Sequence, residues 1–86
     1  MNNDGVADAR ALVAKALAIG IDRITLETKL YGDPAWDSLG QLSVILAVEE
    51  ELRRQIMDES TFEALTSVIG IAAYLTSAHI AQPSNP

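Results

Sequence analysis

Few side chains in this sequence can do chemistry, and the one in the most suggestive setting is Ser38, within the run Trp36-Asp37-Ser38-Leu39-Gly40. The chain has no cysteine, which removes disulfides, thiolate metal sites and a sulfur nucleophile. Any thiol chemistry would need a thiol brought in from outside. The one histidine, His79, stands near the C-terminus without sequence neighbours that could join it as metal ligands. Such a residue is ordinarily a surface group favoured by the negative end of a helix. Glu49, Glu50, Glu51 and the pair Asp58-Glu59 concentrate carboxylates. Their spacing is not that of an oxygen-ligand calcium loop, so no metal site is expected.

Ser38 with Gln41 three residues later fits the Ser-x-x-Gln form of a capping box, and Asp37 suits the positive end of a helix. On these residues alone Ser38 is the cap of a helix, satisfying N–H groups that have no intrahelical acceptor.

The elements that must hold this serine can be read from apolar spacing. Val6, Ala9, Leu12, Val13, Ala16 and Leu17 recur every three or four residues, predicting a first helix from Val6 to Ile19 with Asp4 as its cap and Gly20 as its stop. Gly20 to Asp37 reads as a long ordered loop pinned by Ile21, Ile24, Leu26, Leu30 and Tyr31. Leu39 to Arg54 reads as the second helix. Its Leu39, Leu42, Val44, Ile45, Leu46, Val48 and Leu52 spread over more than half the circumference, where one core stripe needs about 100°. Part of that surface is spare, unless the helix is packed on two sides.

Ser60 with Glu63 predicts a short third helix from Thr61 to Leu65, and Thr66 or Ser67 caps a fourth from Ser67 to His79 that buries Val68, Ile71, Ala72 and Leu75. Gly70 weakens the first turn of that helix. The expected architecture is all-α: three main helices and one short one, with a long ordered loop between the first two. Residues 1–80 form one domain and 81–86 a frayed tail.

At 86 residues the chain has room for one core, and with 49% apolar residues its composition is globular. Its formal net charge of −6 repels nucleic acid and anionic lipid and favours partners with basic patches. No basic, apolar leader and no membrane span is visible, so a cytoplasmic monomer is expected.

The segment "DSLGQLSVILAVEEEL", Asp37 to Leu52, resembles the signature of acyl carrier proteins: an Asp-Ser-Leu triplet opening the second helix and an apolar run ending in glutamates. "ITLETKLYGD" is similar to the loop of that family and "LTSVIGIAAYL" to its last helix, so the likeness extends over residues 6–79. The resemblance implies a carrier rather than an enzyme. Ser38 would be the attachment point of 4′-phosphopantetheine, placed there from coenzyme A by a phosphopantetheinyl transferase that recognises the flanking Asp37 and Leu39. Acyl groups would ride as thioesters on the imported thiol, and three departures from the family pattern, given below, point to a stand-alone carrier of a specialised lipid, polyketide or polysaccharide-modifying pathway. A phosphodiester also suits a helix N-terminus, so cap and attachment point can coincide.

The resemblance further implies that acyl-loading and acyl-consuming enzymes with basic patches dock on Asp37, Leu42, Leu46, Glu50 and Glu51. For the leucines the alternative is core packing, and for the glutamates a solvated face. Glu49 lies nearer the apolar arc. Arg53 and Arg54 have the spacing to pair with Glu49 or Glu50.

Three features depart from the family pattern. Ser43 stands where a glutamate is common in members serving fatty-acid synthesis. Gly40 follows the triplet, loosening the first turn and letting a partner approach. "GDPAWD" places Pro34 in the loop and the Trp36 ring beside the serine. The competing readings are an aminoacyl or peptidyl carrier, whose Gly-Gly-(His/Asp)-Ser-Leu signature is absent here, and an unmodified helical interaction module.

Overall fold

The computed structural model describes residues 4–81, and the side chains of residues 5–78. It is all-helical, with α1 (Asp4–Leu17), α2 (Ser38–Leu52), α3 (Glu59–Ala64) and α4 (Val68–Ala81), and one 3-10 turn (Ile21–Arg23) in the long α1–α2 loop. Ala81, expected to open a frayed tail, is the last residue of α4, and the rest of that tail, 82–86, lies outside the described residues, as do the side chains of His79 and Asp4.

The helices share one core. Ala9, Val13 and Ala14 of α1 meet Val44, Val48 and Leu52 of α2 and Val68, Ile71, Ala72, Leu75 and Ala78 of α4, with Ile24, Trp36, Ile56 and Leu65 filling the gaps. The α4 face is the one its spacing predicts. Among the described residues no buried side-chain nitrogen or oxygen lacks a hydrogen-bond partner, so no side chain adds an unsatisfied-polar penalty to the core.

Helix ends depart from the sequence expectation, and each departure has a local cause. Helix α1 stops before Gly20, because Ala18 takes the left-handed conformation at φ 58. The N–H of Ile19 then reaches the Ala14 carbonyl at 3.0 Å and that of Ala18 the Lys15 carbonyl at 3.2 Å. This pair of bonds closes the helix as glycine usually does. Helix α2 ends the same way at Arg53, φ 57, with the Arg54 N–H on the Glu49 carbonyl at 3.1 Å.

The expected pairing of Arg53 or Arg54 with Glu49 or Glu50 does not form. The chain leaves the helix at Arg53, and Glu49 Oε2 instead accepts from the Ile56 N–H at 3.0 Å. The one salt bridge among the described residues joins Arg23 to Asp33 at 2.7 Å.

Asp58, not Ser60, caps α3, and its carboxylate accepts from the Thr61 N–H at 3.1 Å, the Ser60 hydroxyl at 2.7 Å and the Thr61 hydroxyl at 2.8 Å. The Ser60 hydroxyl first, then Thr61, stabilises the charged form and lowers the Asp58 pKa below its ordinary value. A carboxyl with a depressed folded pKa adds stability above its unfolded pKa and loses it as pH falls through the folded one. Asp58→Asn should therefore melt below wild type near neutral pH, and the gap should close in a melting series from about pH 5 to pH 2.

The long loop is tied down by backbone bonds rather than by all its apolar residues. Leu30 N–H donates to the Thr66 carbonyl at 2.8 Å and Val68 N–H to the Thr28 carbonyl at 3.0 Å, pairing Lys29 with Ser67. Ile24 is buried and Leu30 partly so, whereas Ile21, Leu26 and Tyr31, expected as anchors, are exposed. At the same junction Gly70 is required: a Cβ there would run into the Ala64 carbonyl oxygen. Close contact between the end of α3 and the start of α4 selects the residue that propensity disfavours. Ser67 Oγ accepts from the Gly70 N–H at 3.0 Å, the expected cap.

Candidate functional site

Trp36 fixes the approach to Ser38. Its ring, which the sequence places beside the serine, is fully buried and belongs to the core. The indole N–H donates to Gln41 Oε1 at 2.6 Å, and Gln41 Nε2 donates to the Leu65 carbonyl at 3.0 Å. Gln41 thus bridges the loop to the end of α3 and forms no capping box with Ser38. Upstream, Asp33 Oδ1 accepts from the Ala35 N–H at 2.9 Å and from Arg23 at 2.7 Å, holding the turn around Pro34.

The cap of α2 is Asp37. Its Oδ1 accepts from the Gly40 N–H at 2.9 Å while its carbonyl accepts from the Gln41 N–H at 2.8 Å. Ser38 is the first helical residue, a correction to its expected role as cap. The aspartate side chain reaches the third N–H of the turn, which leaves the serine hydroxyl without a capping task. Asp37→Ala should cost about 1 kcal/mol in a urea or thermal melt, a typical cap loss.

Freed from capping, the Ser38 hydroxyl lies exposed and 2.7 Å from the Tyr31 phenol. The N–H groups of Ser38 and Leu39 open the helix and have no acceptor among the described residues. Gly40 is explained by packing: a Cβ would stand 2.6 Å from the Ala35 carbonyl and 2.7 Å from Leu17 Cδ2. The glycine brings the loop and α1 against the helix start, and does not open it to a partner.

Beyond the serine, α2 divides its apolar surface in two. Val44, Val48 and Leu52 are buried, while Leu39, Leu42 and Leu46 stay 76%, 57% and 59% exposed. The alternative that Leu42 and Leu46 pack in the core is thus overturned. At about 100° per residue, Leu39, Leu42, Ser43, Leu46 and Glu50 lie on one outward face. Glu51 is turned off that face toward α1, bordering a hollow with Asp8, Ala11 and Leu12. Exposed Met57 and Ile69 add apolar surface that sequence periodicity did not single out.

No protein-family model matches the chain. Among curated proteins, the acyl carrier protein of Clostridium perfringens is 34% identical over 67 residues, which cover 78% of this chain and 87% of the relative. The acyl carrier protein of Campylobacter jejuni subsp. doylei is 34% identical over 68 residues, covering 79% and 87%.

This chain belongs to the acyl carrier protein family. Its role is that of a carrier working with partner enzymes, and its four-helix architecture with a long α1–α2 loop agrees with that membership. None of the carrier's described helices is long and apolar enough to cross a membrane. Among its described residues no group of three or more histidines and carboxylates is placed to hold a metal ion.

Tyr31 is the feature of this carrier that sequence reading missed. As a Leu30-Tyr31 pair it looks like a core anchor, and nothing in local spacing predicts that its hydroxyl turns back onto the serine.

Proposed function

We propose that this carrier bears acyl groups on a 4′-phosphopantetheine arm attached to Ser38, and serves partner enzymes of a specialised lipid, polyketide or polysaccharide-modifying pathway. The observation that carries the reading is the exposed Ser38 hydroxyl at the first position of α2, relieved of capping by Asp37. Residues around it fit such a group. The hydroxyl faces solvent, and two N–H groups at the helix start have no competing acceptor among the described residues, at the end where a phosphodiester charge is favoured. When bound, the arm supplies a thiol that holds acyl groups as thioesters, which answers the absence of cysteine.

The chain's own residues then have distinct tasks. Ser38 supplies the attachment oxygen, and Asp37 and Leu39 flank it for recognition by a phosphopantetheinyl transferase. Leu42, Leu46 and Glu50 share the outward face with Leu39, an apolar patch with a carboxylate that suits weak docking to basic-rimmed enzymes. Asp37, at the start of α2, and Glu51, turned toward α1, complete the proposed acidic docking set.

Co-expression with a broad-specificity phosphopantetheinyl transferase, followed by intact-mass measurement, tests the reading. A chain that gains the mass of one arm supports it. One that stays unmodified under conditions that modify a known carrier is an unmodified helical module, and the proposal falls.

A further inference from the structure

The least ordinary backbone beside the site belongs to Tyr31. Its φ of 68 is left-handed, a region that bulky residues enter at a cost and in which strained residues cluster at functional positions. Burial does not explain it, because the residue is 70% exposed. The loop itself imposes the conformation: the Tyr31 N–H donates to the Trp36 carbonyl at 2.7 Å and the Gly32 N–H to the Lys29 carbonyl at 2.9 Å. Trp36 is fixed in the core, so this turn folds Tyr31 back over the start of α2. There the phenol lies 2.7 Å from Ser38 Oγ, its one side-chain partner among the described residues.

We propose that Tyr31 is a positioning residue for Ser38, its phenol donating to Ser38 Oγ before the arm is attached and to the same oxygen, by then an ester oxygen, afterwards. The inference rests on Ser38 being the attachment point.

A serine hydroxyl has one hydrogen and two lone pairs. With Tyr31 as the donor, one lone pair is occupied, the other is open for attack, and the hydrogen is left for a base. In the transfer, Ser38 Oγ bonds to the β-phosphorus of coenzyme A. The bridging P–O bond of the pyrophosphate breaks with its electron pair leaving on adenosine 3′,5′-bisphosphate, and the serine proton passes to a base of the transferase. The ester oxygen that results has no hydrogen and can only accept. Tyr31 therefore keeps one donor role on both sides of the reaction, and no reorganisation of this bond is required. The bond also selects one rotamer of an otherwise solvent-facing serine.

Time courses of intact mass test this, with purified unmodified chain, coenzyme A and a broad-specificity transferase, for wild type, Tyr31→Phe and Tyr31→Gly. Phosphorus NMR of the modified wild type and Tyr31→Phe gives a readout that does not depend on rate. The expected result for both variants is a kcat of modification roughly three- to tenfold lower, with KM for coenzyme A unchanged. The phosphodiester resonance of Tyr31→Phe should be displaced from that of wild type. Melting separates this from a structural effect: Tyr31→Phe should match wild type, and Tyr31→Gly, whose glycine accepts the left-handed φ, should not fall below it. Equal rates for Tyr31→Phe and wild type, or coincident phosphorus resonances, overturn the role of Tyr31 and leave Ser38 as the attachment point. A wild-type chain that gains no mass overturns the attachment reading, and the role of Tyr31 with it.

Discussion

Ser38→Ala should yield a chain that folds as wild type does and never gains the mass of an arm. Two independent observations separate these effects. The hydroxyl that is lost has one partner among the described residues, the exposed Tyr31 phenol, so deleting it removes a solvent-facing bond. Such changes usually stay within about 0.5 kcal/mol. The cap that stabilises the first turn is Asp37, which the substitution does not touch. Were Ser38 the cap, as its spacing to Gln41 implies, the same substitution would cost about 1 kcal/mol. A urea melt of Ser38→Ala beside Asp37→Ala therefore assigns the cap, while intact mass after incubation with coenzyme A and transferase assigns the attachment point. Modification of Ser38→Ala at the wild-type level would place the arm on another residue and remove the serine from the mechanism.

The same pair of residues shows what a sequence of this kind discloses. Helix existence and the buried faces of α1 and α4 follow from three-and-four spacing, because apolar burial is what stabilises these helices. The surplus of apolar surface on α2 is equally visible, but which leucines use it is not. Val44 and Leu46 differ little in type, and only the placement of α1 and α4 buries the first and leaves the second outward.

Helix ends are harder still. Ala18 and Arg53 close helices in a conformation for which glycine is the usual signal, and Gly20 lies two residues beyond the place where it was needed. Gly70 reads as a weakness of α4 until the Ala64 carbonyl is seen against it. Caps compete at close range. Asp37 precedes Ser38 by one residue and Asp58 precedes Ser60 by two, and in both cases the carboxylate caps the helix from its earlier position, accepting from the Gly40 or the Thr61 N–H, and the serine does not serve as the cap. A charged acceptor forms the stronger bond, which a pattern built on residue spacing does not weigh.

Trp36→Ala should be the most damaging single change in the chain. Trp36 is the largest fully buried side chain, and it joins the loop to the core from within two residues of Ser38. Truncating such a residue costs about 3–5 kcal/mol, against a total of about 5–15 kcal/mol for a typical domain and less room in a small one. The loss should exceed ring volume alone, because the indole N–H serves Gln41 Oε1, and Gln41 Nε2 serves the Leu65 carbonyl. Trp36→Phe keeps most of the apolar contact and removes the donor with part of the ring volume, and leaving Gln41 Oε1 without that donor contributes about 1–3 kcal/mol. If the bridge is what couples loop to helix, Gln41→Leu made on top of Trp36→Phe should add less than Gln41→Leu made in wild type. Urea melts of the four proteins give the coupling directly. Strict additivity would show that Trp36 acts as volume alone, and a Trp36→Ala chain within about 1 kcal/mol of wild type would show that the loop holds Ser38 without it.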